Sequence, residues 1–223
     1  MTATLSDCPN WKYLLQEFDT LYRYGSAGGS KAIRSHRKRV RDALSAIIDT
    51  NPEIVVVEPT RKPVVEHLPR ALDLGARAAV SGVARALGHV AAHLAWDYGY
   101  PSVPKSLSKK YAYAEILGPK GPVRAQGLIL GFVLFAPGTT YPQHAHQDIE
   151  ESYVSVAGAW SENDNAVYAP GSLILNRSGV EHRITTGDLD PCLLAYAWAG
   201  PRERLAAPGM KFSARRGSAR DGT

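Results

Sequence analysis

At 223 residues, with 44% hydrophobic and 21% charged side chains, the chain is long enough for one substantial core and lacks the bias of collagen-like, disordered or repeat proteins. Its longest apolar stretches, such as 128–136, are far too short for a membrane span, and 1–11 lacks the basic start and apolar run of a secretory signal, so a cytoplasmic protein with no membrane partner is expected. The net charge of +5 comes largely from 31–41 and 215–220; Arg34, Lys38 and Arg41 share one side of a helix whose other side carries Ile33, Val40, Ala43, Leu44 and Ile47, which reads as a solvated face and not a nucleic-acid surface.

Along the chain, Trp11, Leu14, Leu15, Phe18, Leu21 and Tyr22 recur at helical spacing and predict a first helix over 9–23, with Ser6 or Asp7 as its cap. The glycine-rich 25–30 ends it, Ser30 caps a second helix running to about Asn51, and Pro52 follows. Ile54 to Val57 is too brief to assign, and Pro59 and Pro63 imply an extended connection. From 68 to 95 the Ala- and Leu-rich run broken by Gly75, Gly82 and Gly88 predicts one or two packed helices. His89 and His93 stand four apart there without an acidic partner, and read as packing or surface histidines. After Pro104 the period changes. Segments 111–117, 128–136, 152–157, 166–168, 172–176, 182–186 and 193–199 are short, strand-like and separated by Gly, Asp, Asn and Pro, as in an all-β barrel or double-sheet jelly roll. Cys8 and Cys192 are the two cysteines; in a reducing compartment neither is expected in a structural disulfide.

The chemistry is concentrated between Gly138 and Gly158. His144 and His146 are separated by one residue, so on a strand they leave the same face and can share an ion. Glu151 follows five residues after His146, and Gly179-Val-Glu-His182 supplies a third imidazole. Three neutral imidazoles and one carboxylate suit one divalent transition metal, Fe, Mn, Zn, Co or Ni, and suit Ca or Mg poorly. Glu150 competes with Glu151; the resemblance to the cupin superfamily, carried by this same run from Gly138 to Gly158, implies Glu151 through its distance to Gly158.

This pattern resembles the cupin superfamily. The first cupin motif fits from Gly138 to Gly158, and the second fits at Gly171, Gly179 and His182 but has Arg177 in place of the usual Pro and Thr186 in place of the usual Asn. The expected fold is α+β with a mainly β core: an α-helical N-terminal region over 1–104 packed on a cupin jelly-roll barrel over 105–205 that holds the metal site, followed by a basic flexible tail over 206–223. A cupin barrel alone does not fix a reaction. Tyr153 lies two residues after Glu151 and so faces the same way on a strand; Tyr141 stands at the rim, and Trp160, Tyr168, Tyr196 and Trp198 come from neighbouring strands.

Over nearly its whole length the chain also resembles the bacterial dimethylsulfoniopropionate lyases of the DddL and DddQ type, through Trp11-Lys-Tyr-Leu-Leu-Gln-Glu-Phe18, Arg23-Tyr-Gly-Ser-Ala-Gly-Gly-Ser-Lys-Ala-Ile-Arg34, and the metal motif with its tyrosine two residues beyond the glutamate. The resemblance implies a metal-dependent carbon–sulfur lyase that converts a zwitterionic sulfonium carboxylate to dimethyl sulfide and acrylate by β-elimination. It implies Tyr153 as general base, with Tyr141 orienting the substrate or assisting the metal. Residue type alone puts Trp160, Tyr196 and Trp198 against the sulfonium, because aromatic faces attract onium groups. That cation argues against a free basic residue beside it, with Arg177 the one to watch. Competing readings are a cupin dioxygenase and a non-enzymatic small-molecule-binding cupin. Cupins often pair, so a homodimer is expected.

Overall fold

A computed structural model describes residues 3–24, 29–209 and 211–213. Most of the expected basic tail, and 25–28 of the glycine-rich break, lie outside the described residues. The chain opens with a 3-10 turn, Leu5–Asp7, in which Asp7 accepts from the backbone N–H of Thr4 at 2.9 Å. Asp7 therefore caps this turn and not the helix after it. Helices α1 (Pro9–Tyr24) and α2 (Lys31–Asp49) follow, α2 capped by Ser30, whose hydroxyl accepts from the Ile33 N–H. Each buries one stripe: Trp11, Leu14, Leu15, Phe18, Leu21 and Tyr22 on α1, and His36, Val40 and Leu44, four residues apart, on α2. After a 3-10 turn at Pro63–His67 come α3 (Leu68–Gly75) and α4 (Ser81–Val90). The Ile54 segment makes isolated bridges and no strand.

The β part comprises β1 (Trp96–Asp97), the short helix α5 (Lys105–Ser108), then β2 (Tyr111–Gly118), β3 (Val123–Arg124), β4 (Leu128–Phe135), β5 (Thr140–His144), β6 (Glu150–Ala157), β7 (Trp160–Glu162), β8 (Val167–Tyr168), β9 (Leu173–Asn176), β10 (His182–Thr186) and β11 (Cys192–Ala199), with α6 (Arg202–Ala206) after it. They form two sheets. The larger runs β1-β2-β4-β11-β6-β9, with β3 parallel to β2, and the smaller runs β5-β10-β7-β8. Apart from that β2–β3 pairing the ladders are antiparallel. Among the described residues the two ladders stay separate, so the architecture is a double-sheet jelly roll and not one continuously bonded barrel.

The large sheet is buried on both faces, which is why β4 is apolar at every position. Leu128, Leu130, Phe132 and Leu134 join the helices in one core, where Phe18 and Phe132 meet at 5.3 Å. Ile129, Val133 and Phe135 face the small sheet and belong to a second core with Tyr153, Trp160, Ile184 and Tyr196. The turn leading from β6 to β7 needs glycine: Gly158 has φ 75°, and a Cβ there would stand 2.4 Å from the Pro191 carbonyl oxygen. Among the described residues no helix is long and apolar enough to cross a membrane.

Candidate active site

The site lies between the sheets, and strand register assembles it. Opposed residues in an antiparallel pair leave the same face. Glu151 opposes Trp198 on β11 and Asn176 on β9, and Tyr153 opposes Tyr196. On the small sheet His182 opposes His144. The large sheet thus presents a carboxylate and a phenol to imidazoles from the small one. His146 lies beyond the end of β5, in the loop before β6, so the expected two-residue strand period does not place it. The loop returns it to the cluster.

His144, His146, Glu151 and His182 are all buried, with one donor atom from each lying within 4.8 Å of the others. Donors about 2.0–2.2 Å from a shared ion stand no more than about 4.4 Å apart, so a few tenths of an ångström of closure suffices. Nδ1 of His144 donates to the Pro142 carbonyl at 3.0 Å and Nδ1 of His182 to the Val180 carbonyl at 3.2 Å. A carbonyl only accepts, so both Nε2 atoms keep a lone pair for the centre. Nε2 of His182 and His146 approach Oε2 of Glu151 at 2.9 and 3.4 Å. Neither makes a hydrogen bond among the described residues, and both are buried. Imidazole nitrogens left without partners beside a carboxylate fit a shared cation better than a closed hydrogen-bond network. Burial, with His182 beside it, pushes His144 down to about 3 and keeps its imidazole neutral. For Glu151 burial opposes ionisation, but His146 and then His182 outweigh it and hold the carboxyl well below its ordinary range; for His182 burial opposes protonation, but the Glu151 carboxylate outweighs it and raises the imidazole. The cluster can hold a metal ion.

Glu150 and Glu151 are separated by the pleat. Glu150 points to the helix side, where His36 Nδ1 lies 3.0 Å and Arg39 3.2 Å from its Oε2. Glu151 is held from inside by Trp198, whose indole N–H donates to Oε1 at 2.6 Å, and by the Asn176 amide at 3.5 Å. The departures from the second cupin motif are compensated locally. The Val180 N–H closes the turn onto the Arg177 carbonyl at 3.1 Å, leaving the Arg177 side chain exposed. Thr186 Oγ1 accepts from the Thr139 N–H at 2.9 Å and donates to the Ala136 carbonyl at 3.1 Å. His89 and His93 are both exposed and take no part in the cluster.

A cavity opens beside His144 and Glu151, lined by Tyr141, Tyr153, Tyr196 and Trp198 and, in addition, by Tyr111, Tyr113 and Glu115 of β2. Trp160 is not in this wall. It stands behind Tyr153, its ring 5.9 Å away, and its N–H donates to Ser155 at 2.6 Å. The Tyr196 ring has room because residue 131 is glycine: a Cβ there would lie 2.6 Å from Tyr196 Cε1 and 2.2 Å from the Ala114 carbonyl oxygen. Tyr141 meets His144 edge-on at 4.7 Å. Its hydroxyl donates to Tyr111 at 3.3 Å, and that of Tyr111 donates to the Tyr98 carbonyl at 3.0 Å. In the 2.5 Å contact of Tyr141 with Tyr100, Tyr100 is therefore the donor. Burial lifts the Tyr141 phenol well above its usual range; burial, then Glu151, does the same to Tyr153. Tyr100 stacks on Phe212 at 4.0 Å, and the Ser213 N–H bonds the Gln143 carbonyl at 2.8 Å, so Phe212 and Ser213 lie along β5. Lys120 reaches the wall from the exposed side, and its backbone N–H donates to the Glu115 carboxylate at 2.6 Å.

The family model for dimethylsulfoniopropionate lyase matches residues 36–194, which carry the whole cluster and the cavity wall up to β11, short of Tyr196 and Trp198. The chain belongs to the dimethylsulfoniopropionate lyase family. Across 212 residues this family member is 69% identical to a Cereibacter sphaeroides protein named as the dimethylsulfoniopropionate lyase DddL, an alignment covering 95% of this chain and 91% of that one. Its fold is that of a chain from the crystal structures of the lyases RdDddP and RnDddQII, with a TM-score of 0.67 at 21% identity over 92% of this chain and 98% of the other. DddQ from Ruegeria pomeroyi DSS-3 shares the fold at a TM-score of 0.63 and 22% identity, over 86% and 92% of the two chains.

Proposed function

We propose that this family member cleaves dimethylsulfoniopropionate to dimethyl sulfide and acrylate, with His144, His146, Glu151 and His182 holding one divalent transition metal and Tyr153 taking the proton. The supporting observation is the buried cluster of three imidazoles and one carboxylate at the wall of an aromatic cavity, in a chain of this family. The substrate has a carboxylate at one end and a sulfonium at the other. Elimination removes the proton next to the carboxylate; its electron pair becomes the carbon–carbon double bond of acrylate, and the carbon–sulfur pair leaves with neutral dimethyl sulfide.

A divalent ion, when bound, supplies Lewis-acid charge that polarises the substrate carboxylate and lowers the pKa of a neighbouring phenol. The protein's own groups do the rest. Tyr153 shares its face of β6 with Glu151, so the base and the carboxylate-binding end of the site are set by one stretch of backbone. Its phenol is raised by burial, so the proton acceptor is its ionised form, generated only beside compensating positive charge. Tyr141, fixed between Tyr100 and Tyr111, keeps its ring against His144 and lines the cavity wall. Tyr196 and Trp198 offer aromatic faces to the sulfonium, each contributing about 0.5–2 kcal/mol when desolvated. Tyr113, 6.4 Å from Tyr196, extends that surface.

The test is headspace gas chromatography of metal-loaded protein incubated with dimethylsulfoniopropionate, beside a chelated sample. Dimethyl sulfide that appears with metal and disappears on chelation is the expected result; release that survives complete metal removal overturns the metal assignment.

A further inference from the structure

Directly behind the Glu151 and Tyr153 side chains, on the opposite face of β6, the helical layer holds a buried polar chain. Ser152 is its hub. The Ser152 hydroxyl lies 2.8 Å from the Tyr22 hydroxyl on α1 and 2.8 Å from Nε2 of His36 on α2. Nδ1 of His36 lies 3.0 Å from Oε2 of Glu150, which also meets Arg39 at 3.2 Å. Ser152 and His36 are both 0% exposed and Tyr22 is 1%.

The protons can be assigned. A carboxylate only accepts, so Nδ1 of His36 donates to Glu150. Burial, partly offset by Glu150, pulls the His36 pKa down, so Nε2 is the acceptor for the Ser152 hydroxyl, and Tyr22 donates to Ser152. The order Ser152, His36, Glu150 is that of a nucleophile, base and orienting acid. Here it cannot act as one. The serine is sealed between sheet and helices, and neither Ser152 nor His36 borders the cavity.

A cluster so placed can act only through the strand. We infer that Tyr22, Ser152 and His36 are positioning residues: they pin β6 from its helix side at the residue between the metal-binding carboxylate and the base, and so set the approach of both to the substrate. This rests on the roles proposed for Glu151 and Tyr153. It gives the helical layer a function in catalysis that its apolar packing alone does not require, since a valine at 152 would continue the stripe formed by Val154 and Val156.

The decisive comparison sets Ser152→Ala and Tyr22→Phe against Leu5→Ala, a core truncation in the first 3-10 turn of the same helical layer. Each protein is loaded with Co(II), its visible d–d spectrum recorded, and kcat and KM measured with dimethylsulfoniopropionate. Removing support around a metal ligand typically costs about 10–100-fold in affinity or activity. Ser152→Ala should lower kcat about tenfold with KM nearly unchanged and shift the cobalt bands, and Tyr22→Phe should do both to a smaller degree. Leu5→Ala should lower the melting temperature while leaving the spectrum and kcat in place. If Ser152→Ala does not fold, Tyr22→Phe decides alone. Spectra and kcat in the network variants that match wild type, or that change no more than in Leu5→Ala, overturn the inference. A wild-type protein that takes up no cobalt and releases no dimethyl sulfide would instead overturn the proposed function.

Discussion

On the helix side of the large sheet, Leu130, Phe132, Val154 and Ala195 meet Leu14, Phe18 and Val83 in a core that is apolar almost throughout. One residue further along the same strands, on the side facing the small sheet, stand Glu151, Tyr153, Tyr196 and Trp198. The backbone is common to both faces, and the pleat alone separates them. On the first face, side-chain identity is interchangeable within limits of volume. On the second, individual polar atoms have individual partners, such as the Trp198 indole on Glu151. Apart from the Ser152 network, stability and the proposed chemistry are therefore divided by residue parity along β6 and β11, and substitution can test how complete the division is.

The largest effect is expected from His182→Ala. It removes an imidazole from the donor set and leaves Glu151 buried with less compensation. Metal content measured by mass spectrometry should fall to background and dimethyl sulfide release below detection; full metal occupancy would take His182 out of the ligand set. Tyr153→Phe should keep the metal and lose turnover by about 10²–10⁴-fold, and an unchanged rate would move the base elsewhere. On the other face, Phe132→Ala should cost about 3–5 kcal/mol of unfolding free energy, read from denaturant titration. Its kcat per folded molecule should stay within about twofold of wild type. A fall in kcat comparable to that of Tyr153→Phe would show that the faces are not separable.

Trp198→Phe sharpens the comparison because it keeps an aromatic ring, though a smaller one, on the cavity wall and removes the N–H that binds Glu151 at 2.6 Å. Metal affinity should weaken by about 10–100-fold in a competition titration with a chromophoric chelator. A rise in KM with unchanged metal affinity would instead make Trp198 primarily a surface for the sulfonium.

Much of this was legible in the residues. The period of α1 placed its buried stripe, and the spacing from Gly138 to Gly158 and the glycine before His182 brought out four candidate ligands that the fold does cluster. Strand parity also favoured Tyr153 on the face of Glu151. What was not legible depends on contacts between strands remote in sequence. Trp198 opposes Glu151 only through the β11–β6 register, and Tyr111, Tyr113 and Glu115 reach the cavity only because β2 lies two strands from β11. Trp160 shows the converse: aromatic type suggested a substrate contact, but its partner is Ser155 behind Tyr153. His36 left a readable trace, standing four residues before Val40 and eight before Leu44 in the buried stripe of α2. It was obscured by the basic residues around it.

That histidine carries the smallest predicted effect, and one that probes the polar interruption in the apolar face. Burial, outweighing Glu150, lowers its pKa from the ordinary 6.5. The unfolded chain then binds a proton that the folded chain resists, so the unfolded state holds more protons below about pH 6.5, and folded stability falls as pH drops through that range. The groups facing the imidazole are Glu150, Arg39, Tyr22 and Ser152; only Glu150 favours its protonation, and Arg39 opposes it. Urea unfolding at a series of pH values between about 8 and 5, for wild type and His36→Gln, isolates this contribution as the difference of the two curves, since other titrating groups are common to both. Wild type should lose stability relative to the variant as pH falls. A difference that grows in the opposite direction would mean that His36 is protonated in the fold, with its Nε2 donating to Ser152, and would reverse the proton order of the network behind β6.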